Sequence, residues 1–171
     1  MAPSVPRYRE RLRLEGTVLA AAGGLGSVLL LAFVDAASER AGSTALQITF
    51  VVAVLAVAGP IFVRRWLAEA QPVSDDAQLT GQPTALWKPP VVVVVLTALF
   101  VVPGELGFGA AGWDAGLRIT LGCMVVGLAQ ALFVERLVAA DEARSGRSYV
   151  RLSGSRATSG TNLGFLLSKR A

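Results

Sequence analysis

The chain has 171 residues, 53% of them hydrophobic and 16% charged, with a mean hydropathy of +0.57. That balance excludes an ordinary soluble domain, whose apolar residues would recur with amphipathic spacing instead of lying in long uncharged runs. The absence of histidine removes the commonest general base and metal ligand, and the single cysteine, Cys123, has no partner for an intramolecular disulfide. A net charge of +4 and a pI near 10.0 then read as basic residues facing anionic lipid, not as a nucleic-acid surface.

Residues 1–15 form a basic N-terminal segment. Arg7, Arg9, Arg11 and Arg13 would spread around a helix, so the segment reads as a juxtamembrane anchor and not as an amphipathic surface helix. Gly16 to Val34 then holds no charged residue. As a helix this run rises about 28 Å, close to the hydrocarbon thickness of a bilayer. It is too long for the core of a secretory signal peptide, and Val34-Asp35-Ala36 makes a poor cleavage site. The first span is placed at about 16–35. Gly16, Ala20 and Gly24 recur every fourth residue, with Gly23 and Ser27 beside them. Small side chains at that spacing let a second helix approach closely, and the expected partner is another span of the same chain.

The short polar connection from Asp35 to Thr44 predicts that the first two spans are antiparallel neighbours. The second span covers about 45–63 and ends in the interface anchors Arg64, Arg65 and Trp66. Pro60 predicts a kink or a lost backbone bond near that end. Residues 64–86 are hydrophilic and rich in turn formers, a loop. Trp87 and Lys88 anchor a third span at about 87–104, and Pro89 and Pro90 suit a first helical turn. Val91 to Val95 would read as a buried strand in water; in lipid a lone strand leaves its backbone unpaired, so helix is favoured.

The fourth span is placed at about 116–136. Asp114 and Arg118 precede or open it four residues apart, able to pair on one face. Cys123, Gly127 and Ala131 repeat the four-residue spacing and make a second small-residue seam, and the helix is expected to run on into water as far as Arg144. Residues 145–171, dominated by Ser, Gly, Thr and Arg, predict a flexible basic tail, because so little apolar surface does not offset the entropy of ordering.

The expected fold class is therefore an all-α membrane protein: an antiparallel bundle of four transmembrane helices over 16–144, with a flexible cytoplasmic C-terminal tail. Loop positive charge sets orientation. Four arginines precede the first span, Arg64, Arg65 and Lys88 lie in the central connection, and seven basic residues follow the last span, against Arg40 and Arg118 on the other side. Both termini and the 64–86 loop are expected in the cytoplasm of a multi-pass plasma-membrane protein.

Polar groups within the spans are few. Gln47 and Gln130 read as interhelical hydrogen-bonding residues, and Cys123 as a packing residue. Glu105, Asp114 and Arg118 read first as charges at headgroup level, where they cost little; because ionisable groups at membrane depth are costly and mark function, they are also a candidate polar site at the outer ends of helices three and four, with Glu105 meeting Arg118. No catalytic constellation, metal-ligand spacing or cofactor motif is present in the sequence. The expected function is a non-enzymatic accessory or assembly subunit of a membrane complex, with anionic lipid and a membrane-protein partner or a second copy of the chain as partners. The alternative is a small transporter or channel subunit whose mouth carries Glu105, Asp114 and Arg118.

Overall fold

The computed structural model describes residues 8–33, 41–73, 87–106, 112–151 and 163–167. It is predominantly helical, of the all-α class with a small sheet added. The elements in chain order are α1 (Tyr8–Phe33), α2 (Ala41–Ala68), β1 (Gln71–Pro72), α3 (Lys88–Glu105), α4 (Trp113–Leu128), a π-helical segment (Ala129–Val134), α5 (Glu135–Ser145), β2 (Arg147–Arg151) and β3 (Leu163–Leu167). Among the described residues, three helical stretches are long and apolar enough to cross a membrane: Tyr8–Phe33, Thr44–Ala68 and Trp113–Ser145. A fourth apolar stretch, Lys88–Pro103, is shorter.

Helix α1 begins well before the uncharged run because its basic turn is held by the rest of the molecule. Arg9 pairs with Glu135 at 3.3 Å and Arg11 with Glu15 at 2.7 Å, while Tyr8 and Leu12 between them are buried. The most extensively packed pair of elements is α1 with α4. Arg9 meets Glu135, Gly16 lies against Gly127 and Ala131, Gly23 against Thr120 and Met124, and Leu30 against Gly116, so these two helices run in opposite directions.

Missing side chains set their separation. A Cβ at Gly23 would stand 2.5 Å from both the Met124 nitrogen and the Thr120 carbonyl oxygen, and one at Gly127 would run into the backbone of Gly16 and Ala20. Contact of backbone on backbone gathers dispersion energy along the helix pair, in a solvent that supplies no hydrophobic drive.

The connection after α1 predicts that α2 lies beside it, and here the structure differs. Among the described residues the two meet at one end only, where Tyr8 and Leu12 join Val63 and Leu67 in an apolar cluster. The small-residue face of α1 is already filled by α4. Helix α2 instead leans on the far side of α4 and the π segment, where a Cβ at Gly59 would stand 3.3 Å from the Phe133 ring. It runs unbroken through Pro60, and α3 runs through Pro103.

Within the stretch expected to be a flexible tail, residues 147–151 and 163–167 form strands, and 152–162 and 168–171 lie outside the described residues. Strands β2 and β3 pair antiparallel from Arg147 opposite Leu167 to Arg151 opposite Leu163. On the other side, β3 pairs in parallel with β1, which lies in the predicted 64–86 loop, giving the order β1-β3-β2. Burial explains the ordering. Tyr149 and Leu163 are each 1% exposed and share one cluster with Tyr8, Leu12, Val63, Leu67 and Val138. The few apolar residues of the tail thus meet a surface already built from the ends of three helices.

Gly146, with φ of 65°, makes the left-handed turn out of α5. The outer edge of β2 is then closed by that helix: the Tyr149 N–H donates to Glu142 at 2.9 Å and the Arg147 N–H to Ser145 Oγ at 3.3 Å. The start of α1, the end of α2, β1 and the two later strands all gather at this one end.

The glycine contacts make a direct prediction. Gly127→Ala places a methyl group inside the α1 backbone and should cost at least the roughly 1–3 kcal/mol of ordinary overpacking. Gly122→Ala, whose added Cβ meets nothing within 4 Å, should hold stability or raise it by up to about 1 kcal/mol, the helix preference of Ala over Gly. Thermal unfolding of the two variants in the same detergent checks this, and equal midpoints would contradict the packing.

Candidate functional site

The seam between α1 and α4 contains one hydroxyl pair. Ser27 Oγ lies 2.8 Å from the Gly23 carbonyl oxygen and 2.9 Å from Thr120 Oγ1, which is itself 3.1 Å from the Leu117 carbonyl oxygen. Two hydroxyls bring two protons to three contacts, so at any moment one contact goes without. Every arrangement keeps both protons inside the helix pair. A bond of this kind between membrane helices contributes about 0.6–2 kcal/mol; its chemistry is that of packing.

Of the small residues singled out in sequence, Gly16, Ala20, Gly23 and Ser27 of α1 are buried, as are Gly127 and Ala131 opposite them. Gly24 and Cys123 are half-buried, Gly24 beside the Met124 sulfur. Two further members of the seam are Gly116 and Thr120. Their own four-residue spacing resumes at Gly127 only after a gap, which is why spacing alone does not join them to it.

The predicted polar site is present in part. Arg118 Nη2 lies 3.4 Å from Asp114 Oδ2, one turn apart at the start of α4, and Arg118 Nε is buried without a hydrogen-bond partner among the described residues. The side chain of Glu105 lies outside the described residues. Gln47 is exposed on α2, and Gln130 is half-buried within the π segment. There the Glu135 N–H reaches back five residues to the Gln130 carbonyl, the wide turn that defines this helix type. Of the interface anchors, Arg64, Trp87 and Lys88 are exposed, Arg65 pairs with Glu69 at 3.6 Å, and Trp66 stands edge-on to Tyr8 with 5.4 Å between ring centroids.

Among the described residues, α4 borders apolar grooves on both of its sides. One, of about 560 Å³, lies between α1, α3 and α4 and is walled by Leu29, Val93, Thr97, Val101 and Trp113 among others. The other, of about 400 Å³, lies between α2 and the α4–π segment. At the sheet end, the Tyr149 hydroxyl donates to Asp141 Oδ2 at 2.6 Å, and the Arg147 guanidinium sits 4.4 Å above the centre of the Phe165 ring. Burial, then the hydrogen bond to Asp141 and its negative charge, push the Tyr149 hydroxyl up to about 12, against the opposing effect of Arg147. No group of acidic, cysteine or histidine side chains among the described residues could hold a metal ion.

Comparison with known proteins finds no matching protein family, no matching curated protein and no matching solved structure.

The raised Tyr149 value carries a sign. The folded chain holds the phenolic proton more tightly than the unfolded one, so the stability it contributes is complete below pH 10 and is lost as pH rises through about 12. Tyr149→Phe removes that titration and should flatten the fall in stability across this window, read from unfolding midpoints followed by circular dichroism. A wild-type fall in the variant would contradict a role for this hydrogen bond.

Proposed function

We propose that this chain is a four-span protein of the plasma membrane, with the sheet end and both termini in the cytoplasm, and that it works as a non-enzymatic accessory or assembly subunit. The observation that carries the reading is helix α2. Its spanning window has the highest mean hydropathy of the three, 2.4, yet only 6% of that window is buried inside the molecule. A span held so lightly offers nearly its whole circumference to lipid or to another membrane protein.

The gathering of the N-terminal turn, the central connection and the later strands at one end supports a chain that crosses an even number of times, and the arginine distribution supports the cytoplasm for that end. Helix α3 is the short member, and its 16 apolar-helix residues rise about 24 Å. Exposed Trp87 and Lys88 at its start fit a span that meets a thinned or indented interface. Ser27 and Thr120, the polar groups deepest in the seam, are occupied with each other and with helix carbonyls, which supports a packing role over a chemical one.

Site-specific photo-crosslinking in membranes tests the subunit role. A crosslinker at Phe50 or Ile61, both exposed on α2, should capture a second, different polypeptide, while one at Leu117, buried on α4 against Leu30 of α1, should give only internal products. Recovery of a homo-oligomer that passes ions in liposomes, or crosslinks to lipid alone from every α2 position, would overturn the reading.

A further inference from the structure

We infer that the ends of α2 and α4 farthest from the sheet bind one small monovalent anion between Thr44 and Arg118. The inference goes beyond the subunit reading and does not depend on it, since it stands on the packing of two helices. Thr44 is 0% exposed, and its hydroxyl has no hydrogen-bond partner among the described residues. Arg118 presents a second such group: Nε is buried and unpartnered, although Nη2 lies 3.4 Å from Asp114 Oδ2. Buried donors without an acceptor are costly and rare, so two of them at one place point to a ligand that accepts from both.

Helix geometry puts the two groups at one place. Helices α2 and α4 pack side by side and run in the same direction: Gly59 meets Phe133, and further along both chains Val63 and Leu67 join Val138. Thr44 lies 15 residues before Gly59 and Arg118 lies 15 residues before Phe133, so each stands about 22 Å back from that contact along its own helix. They also share the facing sides. Thr44 is three turns before Leu55 and Arg118 two turns before Val125, and Leu55 and Val125 line the same groove. Helical side chains lean toward the N-terminus, so the Arg118 guanidinium reaches back over the first turn of α4, where it meets Asp114. Thr44 stands in the first turn of α2.

Charge selects the ligand. Because the two helices are parallel, both present their N-termini at this end, each equivalent to roughly half a positive charge. Helix α4 opens at Gly112 with no side-chain cap on its first amides. Asp114 offsets the guanidinium of Arg118, which leaves about one positive charge from the helix ends. A monovalent anion balances that charge, whereas a divalent one would leave a buried negative excess. Water would satisfy the two donors and leave the charge unanswered. A halide accepts from both the Thr44 hydroxyl and the Arg118 Nε–H, and hydrogen bonds to an ion are stronger than those to a neutral acceptor.

The test uses the purified full chain in a non-ionic detergent, with chloride replacing gluconate at constant ionic strength. Wild type should broaden the chloride NMR line, and its unfolding midpoint should rise by about 5 °C on going to about 300 mM chloride, levelling off as the site fills. Thr44→Val keeps the side-chain shape and loses the hydroxyl, and should weaken chloride binding about tenfold. Arg118→Gln should abolish both signals, while Arg64→Gln, an exposed cation at the other end of α2, leaves both unchanged. Equal midpoints and line widths for wild type in the two salts would mean that these atoms hold water alone, and would overturn the inference. A full chloride response in Thr44→Val would overturn it as well, as would sulfate raising the midpoint as far as chloride does.

Discussion

Everything else in this molecule is arranged around the contact of α1 with α4, where two helix backbones touch because glycine stands wherever a Cβ would intervene. The contact is selective in a way that apolar surface alone is not. Lipid tails satisfy a leucine as well as another helix does, so burial gives no preference between helix and lipid. Close approach does give one, because a lipid chain cannot follow the groove left by Gly16, Gly23 and Gly127 as closely as a second backbone does. The Ser27–Thr120 hydroxyl pair then fixes the register, since sliding one helix by a turn would separate the two oxygens and bring larger side chains opposite the glycines.

This pair uses up the best packing surface in the chain, and the other helices take what remains. Helix α3 rests on the edge of the pair through Val101 and Thr97 against Gly116. Helix α2 rests on the back of α4 and the π segment, and is tied most firmly near its C-terminal end, through Val63 and Leu67. A sheet with strands of two, five and five residues is too small to be stable alone. It forms because Tyr149 and Leu163 close the cluster that α1, α2 and α5 leave open. The dependence runs both ways: the sheet needs the helix ends, and the helix ends are pinned by the sheet.

Much of the helical content was legible from uncharged runs, because lipid or water makes a plain distinction between a segment that can cross and one that cannot. The small residues at four-residue spacing were legible as a face, but not as a pairing. A face with Gly16, Ala20 and Gly23 accepts any helix that is equally bare, and nothing local says that the bare partner is α4, reached only after two other helices. Short connection length pointed to α2 instead, yet among the described residues α2 meets α1 only at the end marked by Tyr8 and Leu12. The sheet was the least legible part. Tyr149, Val150 and Leu163 are sparse among serine, glycine and arginine, so local composition argues for disorder. Their partners, Tyr8, Leu12, Val63 and Val138, are dispersed over the rest of the chain, and the cluster exists only once the helices are in place. Asp114 and Arg118, four residues apart on one helix, needed no tertiary information and pair at 3.4 Å.

The unequal packing of the helices has a mechanical consequence. A helix pair locked by backbone contact has no neighbouring arrangement of similar energy, because any shift drives a carbonyl or a Cα into the opposite chain. Helix α2 makes a looser contact, in which a Cβ added at Gly59 would meet the edge of the Phe133 ring at 3.3 Å and no backbone atom. It joins the apolar cluster at the sheet end through Val63 and Leu67, and β1 follows it after only two residues. Pairing of Gln71 and Pro72 with Gly164 and Phe165, together with the Val73 N–H donating to the Phe165 carbonyl at 3.1 Å, therefore ties the position of α2 to the sheet. The sheet thus ties the end of α2 to the cluster that also holds the start of α1, while the α1–α4 pair supplies the closest helix contact.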